Sequence, residues 1–369
     1  MRKTIPLLAA LGLTLAYVEA ADVPPGYELV QITPGDAYYT RARMNNQGQI
    51  VFMKYQDGPD PTAQIILYDN GRMIAITTDA EIQNASPDIN DAGDIVWSRE
   101  IGPFRGARRT HEIMMYRNGE IVQLTDNNFG DGSPRINNLG HIAWTASMPP
   151  CQNAGISDIY FYDGRTIRRI TAGDANNQCP KLNDLDQIIW TRYNTECSGF
   201  NRERAVMLYA ANRGGEMHDG DFFQVSDTGS DRAFAGSINN LSQIVWTMRI
   251  GPCASAVQLW ENGVNVQLLE LGGAPLINDA GDVAFYRFHH ERSSYQAYLY
   301  HQGEVYQVSD NYDVLWNLVT DINDHGELVY TSGEHGDSDI MLLRRTLTGN
   351  RGSSQPVSAT SSRLTPRDP

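Results

Sequence analysis

The chain has 369 residues, which is enough for two or three average domains or for one large repeat architecture. Its 29 basic and 44 acidic residues give a formal net charge of −15, which argues against general nucleic-acid binding because that affinity comes from basic residues. Hydrophobic residues make up 41% and charged residues 20%, as in an average globular protein, and the 33 glycines and 18 tyrosines favour turns and strands over helices or disorder.

The first twenty residues have the pattern of a secretory signal peptide. Arg2 and Lys3 precede an apolar run from Ile5 to Val18, and Ala20 ends a small-residue cleavage pattern. The run is shorter than the roughly 20 apolar residues that span a bilayer, so an uncleaved membrane anchor is the weaker alternative. We therefore expect a signal peptide over residues 1–20, no membrane span in the mature protein, and a secreted or periplasmic location.

One nine-residue pattern recurs seven times along the rest of the chain. It begins with an apolar residue and an asparagine, passes through a turn, and ends in an apolar strand with an aromatic residue, as in INDAGDIVW ending at Trp97. The leading asparagines are Asn45, Asn90, Asn137, Asn183, Asn239, Asn278 and Asn323. Their mean spacing of about 46 residues lies in the range of propeller repeats.

Each copy of the pattern predicts four strands. A short first strand enters the turn, where the asparagine side chain can bond the backbone two residues on and a glycine accepts a positive φ. Asp186 and Ser242 replace that glycine in two copies, and serine fits this conformation less well. The second strand, such as Asp94 to Ser98, is apolar on both faces and must be covered on both. A third strand such as Glu112 to Tyr116 and a fourth such as Ile121 to Thr125, which ends in Thr or Ser, complete the copy.

The ends of the chain predict how the repeat closes. The seventh copy has a third strand at Asp339 to Leu343 but no fourth, because the tail from Thr346 to Pro369 is rich in Ser and Thr. The segment Tyr27 to Thr33 resembles a fourth strand and has no copy before it, so borrowing it would protect two open edges. The sequence therefore predicts an all-β fold: a single seven-bladed β-propeller over residues 27–346, closed by an N-terminal strand that completes the last blade. We expect residues 347–369 to form a disordered tail.

These copies resemble the WD40-like repeats of TolB-type exported propellers, in which a Ser-Pro-x-x-Asn-x-x-Gly stretch precedes an apolar strand. The segments Leu259 to Gly263, Leu271 to Gly273 and Ile277 to Gly281 also resemble HAF-type extracellular repeats. The resemblance covers nearly all of the mature chain and implies a propeller fold. It leaves the function open, because propellers include lyases, hydrolases, lectin-like binders and assembly platforms.

Four cysteines in an exported chain suggest two disulfides. Cys151, Cys197 and Cys253 each lie seven residues after the strand aromatic of their copy, and Cys179 is expected just before the first strand of the fourth copy. All four should then lie on one face of the propeller. We favour pairing Cys151 with Cys179 and Cys197 with Cys253; the other two pairings, free thiols and a thiolate metal site are the alternatives.

The loops after the second strands differ most between copies and lie on the face of the cysteines. They are relatively basic, while the opposite turns are rich in aspartate, so this face could concentrate an anionic ligand. One equivalent position, two residues past the strand aromatic, holds Lys54, Arg99, Arg192 and Arg287. The predicted ligand-binding residues are Lys54, Arg99, Arg109, His111, Arg192, Tyr193, Arg287 and Arg292. The alternative is that these arginines pair with loop carboxylates and only hold the loops in place.

Two functions are compatible with this face, and the sequence leaves open whether the protein is an enzyme. The favoured one is a non-catalytic, monomeric binding module for an exported protein or an acidic glycan. The other is a lyase for a uronate-containing polysaccharide, which needs a cation to neutralise the carboxylate and a Tyr or His to transfer protons. The candidates for that role are Tyr286, His289, His290 and Tyr295.

The histidines could also belong to a metal site. His289 and His290 could join His335 and Glu334 of the next copy, but histidines in loops are more often simply solvated. We therefore expect neither a metal nor a cofactor. The sequence also lacks a G-x-S-x-G elbow, which argues against the α/β-hydrolase chemistry attached to some propellers.

Overall fold

The computed structural model describes residues 23–56, 62–101, 110–147, 156–173, 175–193, 204–210, 222–226, 233–251, 254–334 and 336–346. Within these ranges the chain forms 28 β-strands and no helix, so no helix of the described chain could cross a membrane. The predicted signal peptide and C-terminal tail lie outside the described residues and stay predictions.

Consecutive strands pair antiparallel in units of three or four, one for each copy of the repeat. A single parallel contact joins units three and four, and another joins units six and seven, into eight-stranded sheets. The first strand of the described residues is β1 (Tyr27–Gln31). Units one to three comprise β2 (Tyr39–Met44), β3 (Ile50–Tyr55), β4 (Ala63–Asp69), β5 (Arg72–Ala75); β6 (Asn84–Ile89), β7 (Ile95–Ile101), β8 (Thr110–Arg117), β9 (Glu120–Gln123); β10 (Gly130–Ile136), β11 (Ile142–Ser147), β12 (Ser157–Tyr162) and β13 (Ile167–Arg169). Units four to six comprise β14 (Asn176–Leu182), β15 (Ile188–Tyr193), β16 (Arg204–Tyr209), β17 (Phe222–Gln224); β18 (Ala233–Ile238), β19 (Ile244–Arg249), β20 (Ser255–Glu261), β21 (Val264–Leu269); β22 (Gly273–Ile277), β23 (Val283–His289), β24 (Ser294–His301) and β25 (Glu304–Gln307). The last three strands are β26 (Trp316–Ile322), β27 (Leu328–Glu334) and β28 (Asp337–Arg345).

The seventh unit takes its fourth strand from the start of the chain. β1 pairs antiparallel with β28, with Tyr27 opposite Arg345 and Gln31 opposite Met341. Leu29 is buried in the core of this unit, and Arg344 forms an ion pair with Glu28 at 2.8 Å. The predicted pairing of the N-terminal segment with the last unit is therefore present, and it covers an edge that would otherwise be open.

The repeated asparagine shapes the turn between the first and second strands. In the third unit, Asn137 Oδ1 accepts hydrogen bonds from the backbone N–H groups of Leu139 (3.1 Å) and His141 (2.9 Å), so the predicted bond to the residue two positions on is confirmed. Asp186 and Ser242 adopt the positive φ of the turn glycines, at 58° and 63°. Ser242 therefore tolerates a conformation that costs a non-glycine residue roughly 1–2 kcal/mol.

The same asparagines connect each unit to the next. Asn137 Nδ2 donates to the carbonyl of Asn183 at 3.0 Å, and the bond recurs from copy to copy until Asn323 Nδ2 donates to the carbonyl of Asn45 at 3.4 Å. The residues that follow the asparagines form a second hydrogen-bonded set, which we call the turn ring: Asn46, Asp91, Asn138, Asp184, Asn240, Asp279 and Asp324.

The hydrophobic core lies between neighbouring units. Trp97 of the second unit is fully buried against Val51 and Ile65 of the first, and Phe52 of the first unit packs with Val329 of the seventh. Full burial of one large apolar side chain contributes about 1.5–3 kcal/mol. These contacts explain why the second strands are apolar on both faces.

A hydroxyl group after the fourth strand connects it to the third. In the second unit, Thr125 Oγ1 accepts from the backbone N–H of Ile113 (2.9 Å) and donates to Glu112 Oε2 (2.6 Å). The acceptors at this position in five units are Gln64, Glu112, Asp158, Gln296 and Asp339. We predicted that Thr125 ends the fourth strand, but β9 ends at Gln123, because the hydroxyl replaces the backbone in bonding to the third strand.

The first strand of each unit carries a bulge and borders a central space. Five bulge residues have a positive φ: Arg41, Ser86, Ser133, Cys179 and Ala274. Two positions further on, each strand contributes one residue to the wall of the central space. We call this set the axial ring: Arg43, Asp88, Arg135, Lys181, Ser237, Leu276 and Asp321.

The bulge corrects the prediction for Cys179. This residue does not precede the first strand of its unit but lies inside β14, exposed at the bulge, and its thiol is free. The Cys151–Cys179 disulfide is therefore not formed in this structure. Cys151, Cys197 and Cys253 lie outside the described residues, and the pairing of Cys197 with Cys253 stays a prediction.

Candidate functional site

The main candidate site is a cleft of about 1040 Å³ between units five and six, which we call the five–six cleft. It lies where the loop after β19 faces the last residues of β23. Its polar and aromatic lining consists of Phe234, Thr247, Arg249, Ser255, Tyr286, Arg287, Phe288, His289, His290, Tyr295 and Tyr298. No carboxylate is found among the described residues of this lining.

Aromatic rings cover one side of the cleft. The rings of Tyr286 and Tyr295 meet edge to face with centroids 5.2 Å apart, and Phe288 lies 4.7 Å from Tyr295. His290 packs edge to face on Phe288 at 4.9 Å. Ring pairs at such distances stabilise one another by about 0.5–1.5 kcal/mol, so the rings support one another along this wall.

Arg287 is held in place by rings and by the backbone. Its guanidinium lies over Tyr298 (4.7 Å) and Phe285 (5.1 Å), and its Nε donates to the carbonyl of Leu271 at 3.0 Å. Arg249 donates from Nε to the carbonyl of Gly251 at 3.0 Å. Arg287 forms no ion pair with a carboxylate of the described residues, so it brings a positive charge to the cleft, and Arg249 adds a second guanidinium to the lining.

His289 belongs to a chain of hydrogen bonds. Its Nε2 lies 2.8 Å from the Tyr298 hydroxyl, which in turn donates to Gln307 Oε1 at 2.9 Å. Burial, and secondly Arg287, lower the pKa of His289, which favours the neutral ring. Burial, and secondly Tyr295, raise the pKa of Tyr286, so this phenol keeps its proton.

The structure thus brings together the residues that were predicted from the sixth copy. Tyr286, Arg287, His289, His290 and Tyr295 all line the five–six cleft. Arg292 lies beside it in a second cavity of about 260 Å³, where its guanidinium packs over Tyr312 at 5.6 Å.

The equivalent cations of units one and two are engaged elsewhere. Lys54 forms an ion pair with Asp36 at 3.5 Å and lies over the ring of Tyr39, and Arg99 Nη2 is 2.5 Å from an oxygen of Asp79. Neither lines the five–six cleft. Their contacts match the alternative in which basic side chains pair with nearby carboxylates and hold the loops.

The remaining predicted residues do not converge on the cleft. Arg204 stacks over Tyr193 at 5.1 Å, while Arg192 and His111 are half-buried on β15 and β8. Arg109 and His335 lie outside the described residues. In the described part of the chain no three His, Cys, Asp or Glu side chains are grouped so that they could hold a metal ion.

Sequence reasoning missed the charged central space. Arg43, Arg135 and Lys181 each stand two residues before a repeated asparagine. The signal was present in the alignment of the copies, because this position varies from arginine to leucine while its neighbours repeat. It could have been found by asking which variable positions the first strands direct toward a common centre.

Comparison with known proteins supports the fold only. No family model matches the sequence, and no curated protein matches it. Among solved structures, the chain resembles the acylaminoacyl peptidase of Pyrococcus horikoshii, with 12% identity, a TM-score of 0.61, and 84% of this chain and 52% of that chain covered. It also resembles the β-propeller domain of the trilobed protease from Pyrococcus furiosus, with 12% identity, a TM-score of 0.59, and 84% and 97% of the two chains covered.

The fold is a β-propeller. A third similar structure is TolB from Acinetobacter baumannii, with 13% identity, a TM-score of 0.47, and 80% and 79% of the two chains covered. The propeller aligns with about half of the peptidase chain, so that enzyme's activity does not transfer with the fold. Since no family model matches, the TolB-type and HAF-type resemblance stays a prediction.

Proposed function

We propose that this protein is an exported, closed seven-bladed β-propeller that binds an acidic glycan in the five–six cleft without transforming it. The observation that carries the proposal is the composition of the cleft. Aromatic rings and two arginines line it, and its described lining contains no carboxylate. Its volume of about 1040 Å³ is large enough for several sugar rings.

Ring closure is supported by the bonds between the first and last copies. The asparagine bonds run from unit to unit and return from Asn323 to Asn45, and the backbone N–H of Asp324 donates to Asn46 Oδ1 at 2.8 Å. The core also continues from Phe52 to Val329. Together with the β1–β28 pairing, these contacts favour seven blades around one axis.

The chemistry of the cleft favours a negatively charged, ring-bearing ligand. Tyr286, Phe288 and Tyr295 offer apolar faces and edges for the faces of sugar rings. The guanidinium of Arg287, fixed over two rings, can donate charge-assisted hydrogen bonds to a carboxylate or sulfate, and these are roughly twice as strong as neutral ones. A basic cleft on a protein of net charge −15 also attracts anions.

The lyase alternative has less support in the geometry. A lyase needs a group that accepts the proton of the uronate ring. Tyr286 is poorly suited because its pKa is raised, and the lowered pKa of His289 makes its ring a weaker base. We therefore place non-catalytic binding first.

The test uses a charged ligand and its neutral counterpart. We expect oligogalacturonate to bind the mature protein and its methyl-esterified form to bind at least about tenfold more weakly, because the ester removes the anion that the arginines recognise. Isothermal titration calorimetry measures both affinities. Absorbance of an unsaturated product in the same samples would favour the lyase.

The matched variants are Arg287→Ala and Arg99→Ala. The two arginines occupy equivalent positions in different units, but Arg99 is paired with Asp79 and lies outside the cleft. Arg287→Ala should weaken binding about tenfold or more, while Arg99→Ala leaves it unchanged. Equal loss in both variants, or no charge preference in any acidic polysaccharide of a wider panel, would contradict the proposal.

A further inference from the structure

Another cavity, distinct from the five–six cleft, lies in the centre of the molecule. This chamber, of about 280 Å³, is bounded by the bulges of the first strands and by part of the axial ring, and we call it the axial chamber. It borders the five–six cleft, because Ala235 and Ala274 line both.

One side of the axial chamber is strongly basic. Arg41, Arg43, Arg135 and Lys181 line it, and no carboxylate does so among the described residues. The two acidic members of the axial ring lie on the turn side, where Asp88 and Asp321 accept the backbone N–H groups of the following units and line the neighbouring cavity.

These cations are incompletely compensated. Arg43 lies 3.6 Å from Asp321 and 3.9 Å from Asp88, and Arg135 lies 3.9 Å from Asp88. The two arginines therefore share two carboxylates, at distances longer than those of a direct hydrogen bond. The Nε of Arg135 is buried without a hydrogen-bond partner among the described residues, and Lys181 is half-buried beside it. Arg43, Arg135 and Lys181 are half-buried, and the carboxylates that the arginines share lie at the limit of ion-pair distance, so an anion in the chamber would be stabilising.

The titration of these groups shows how closely the charges are crowded. Burial, followed by Arg135 and Arg43, holds the pKa of Lys181 well below its usual value of 10.5. Burial, followed by Arg43, lowers the pKa of Arg135 to about 10. Burial is the larger cause in both groups, and the repulsion that adds to it shows that like charges lie close together here, where an opposite charge is favoured.

We infer that the axial chamber binds a small oxyanion, such as a phosphate or a carboxylate, between the basic residues and the hydroxyl groups of Ser86 and Ser133. The opposite wall is apolar and formed by Ala235, Ala274 and Leu276, so the chamber also accepts a short hydrocarbon group attached to the anion. This inference is independent of the proposed glycan binding.

Cys179 provides a probe inside the chamber. It is a free thiol that lines the cavity two residues before Lys181. Iodoacetate and iodoacetamide are similar in size, and in each case the thiolate displaces iodide, but only iodoacetate is an anion. We expect the iodoacetate to iodoacetamide rate ratio at Cys179 to be about fivefold or more higher in the folded protein than in urea, because the cations concentrate the anionic reagent. Mass spectrometry of the Cys179 peptide measures both rates.

Competition and variants test whether the effect belongs to this chamber. Millimolar inorganic phosphate should slow the reaction with iodoacetate several-fold, whereas chloride at equal ionic strength should not; a parallel arm with acetate separates phosphate from carboxylate recognition. Lys181→Met should lower the rate ratio toward that in urea, and Arg287→Ala, in the cleft, should leave it unchanged.

A rate ratio equal to that of the unfolded protein would overturn the inference, as would phosphate protection no greater than that by chloride. If Lys181→Met does not fold, the melting temperature of the wild-type protein provides a second test. Phosphate should raise the melting temperature of the wild-type protein more than chloride does at equal ionic strength, because a ligand that binds only the folded state stabilises that state. Equal melting temperatures in the two salts would also refute the oxyanion site.

Discussion

At the turn end of the central space, every copy of the repeat contributes an asparagine with the same bonds to the next unit. At the loop end, equivalent residues make different contacts: Arg99 is paired with Asp79, whereas Arg287 lies over Tyr298 and Phe285. An asparagine that recurs in every copy together with its hydrogen-bond partner has a structural role. A basic residue that recurs at one position but contacts different partners, as Arg99 and Arg287 do, marks a place where the units have different roles.

Removing β1 should have the largest effect, because it takes away the strand that completes the seventh unit. A truncation that starts at Ala37 loses the pairing with β28 and exposes the edge of that strand. We expect aggregation or a melting temperature lower by more than about 10 °C, which corresponds to a loss of several kcal/mol. Differential scanning calorimetry measures it, and an unchanged melting temperature would show that the ring does not need this strand.

Asn137→Ala tests the turn end at one position. The change leaves the backbone N–H groups of Leu139 and His141 and the carbonyl of Asn183 without their side-chain partner. We expect a loss of about 2–4 kcal/mol in the free energy of unfolding, measured by urea denaturation, because unpaired buried groups cost about 1–3 kcal/mol each. Leu139→Ala, in the same turn but 57% exposed, is the control and should change it by less than about 0.5 kcal/mol.

Glu112→Gln gives a smaller effect that depends on pH. Burial raises the pKa of Glu112 to about 6 in the folded protein, above its usual 4.5, so the folded state takes up a proton more readily than the unfolded state. As pH falls from above 6 to 4.5, the wild-type protein should gain stability relative to Glu112→Gln, by at most about 2 kcal/mol.

Urea unfolding at pH 4.5, 6 and 8 measures this difference between Glu112→Gln and the wild-type protein. The reciprocal change, Gln296→Glu, places a carboxyl group at the equivalent buried position of unit six and should introduce a pH dependence of the same sign. A difference between wild type and Glu112→Gln that stays constant with pH would show that the Glu112 carboxyl does not titrate in this range.

The repeat made most strands and the turn predictable, because the alternation of apolar residues and the Asn-Gly turn are local signals. The irregularities within strands and the side-chain contacts were harder to predict from the sequence. The sequence placed Cys179 in a loop because a bulge inside β14 is not visible in the spacing of prolines and asparagines. It also marked Thr125 only as the end of a strand, although its hydroxyl bonds to Glu112, thirteen residues away.

The candidate sites were predicted in part. Tyr286, Arg287, His289, His290 and Tyr295 follow one another in sequence around a single hairpin, and their convergence in one cleft needed only the correct strand pairing. The axial chamber combines residues from most of the units, and no local sequence pattern indicates that residues of the first strands line one common cavity.

The turn ring has an odd number of members, and this limits where the repeat can gain or lose a copy. Each asparagine of the ring lies between two aspartates and donates to both, as Asn46 does to Asp91 at 3.0 Å and to Asp324 at 2.8 Å. Seven members cannot alternate around a closed circle, so Asp279 and Asp324 are adjacent and share only a bond from the backbone of the first to the carboxylate of the second, at 2.9 Å. An extra asparagine-bearing copy between them, or the loss of either copy, would give an even number and restore strict alternation. The junction of the sixth and seventh copies is therefore the one place where this repeat could change its length by a single copy without setting two like side chains side by side.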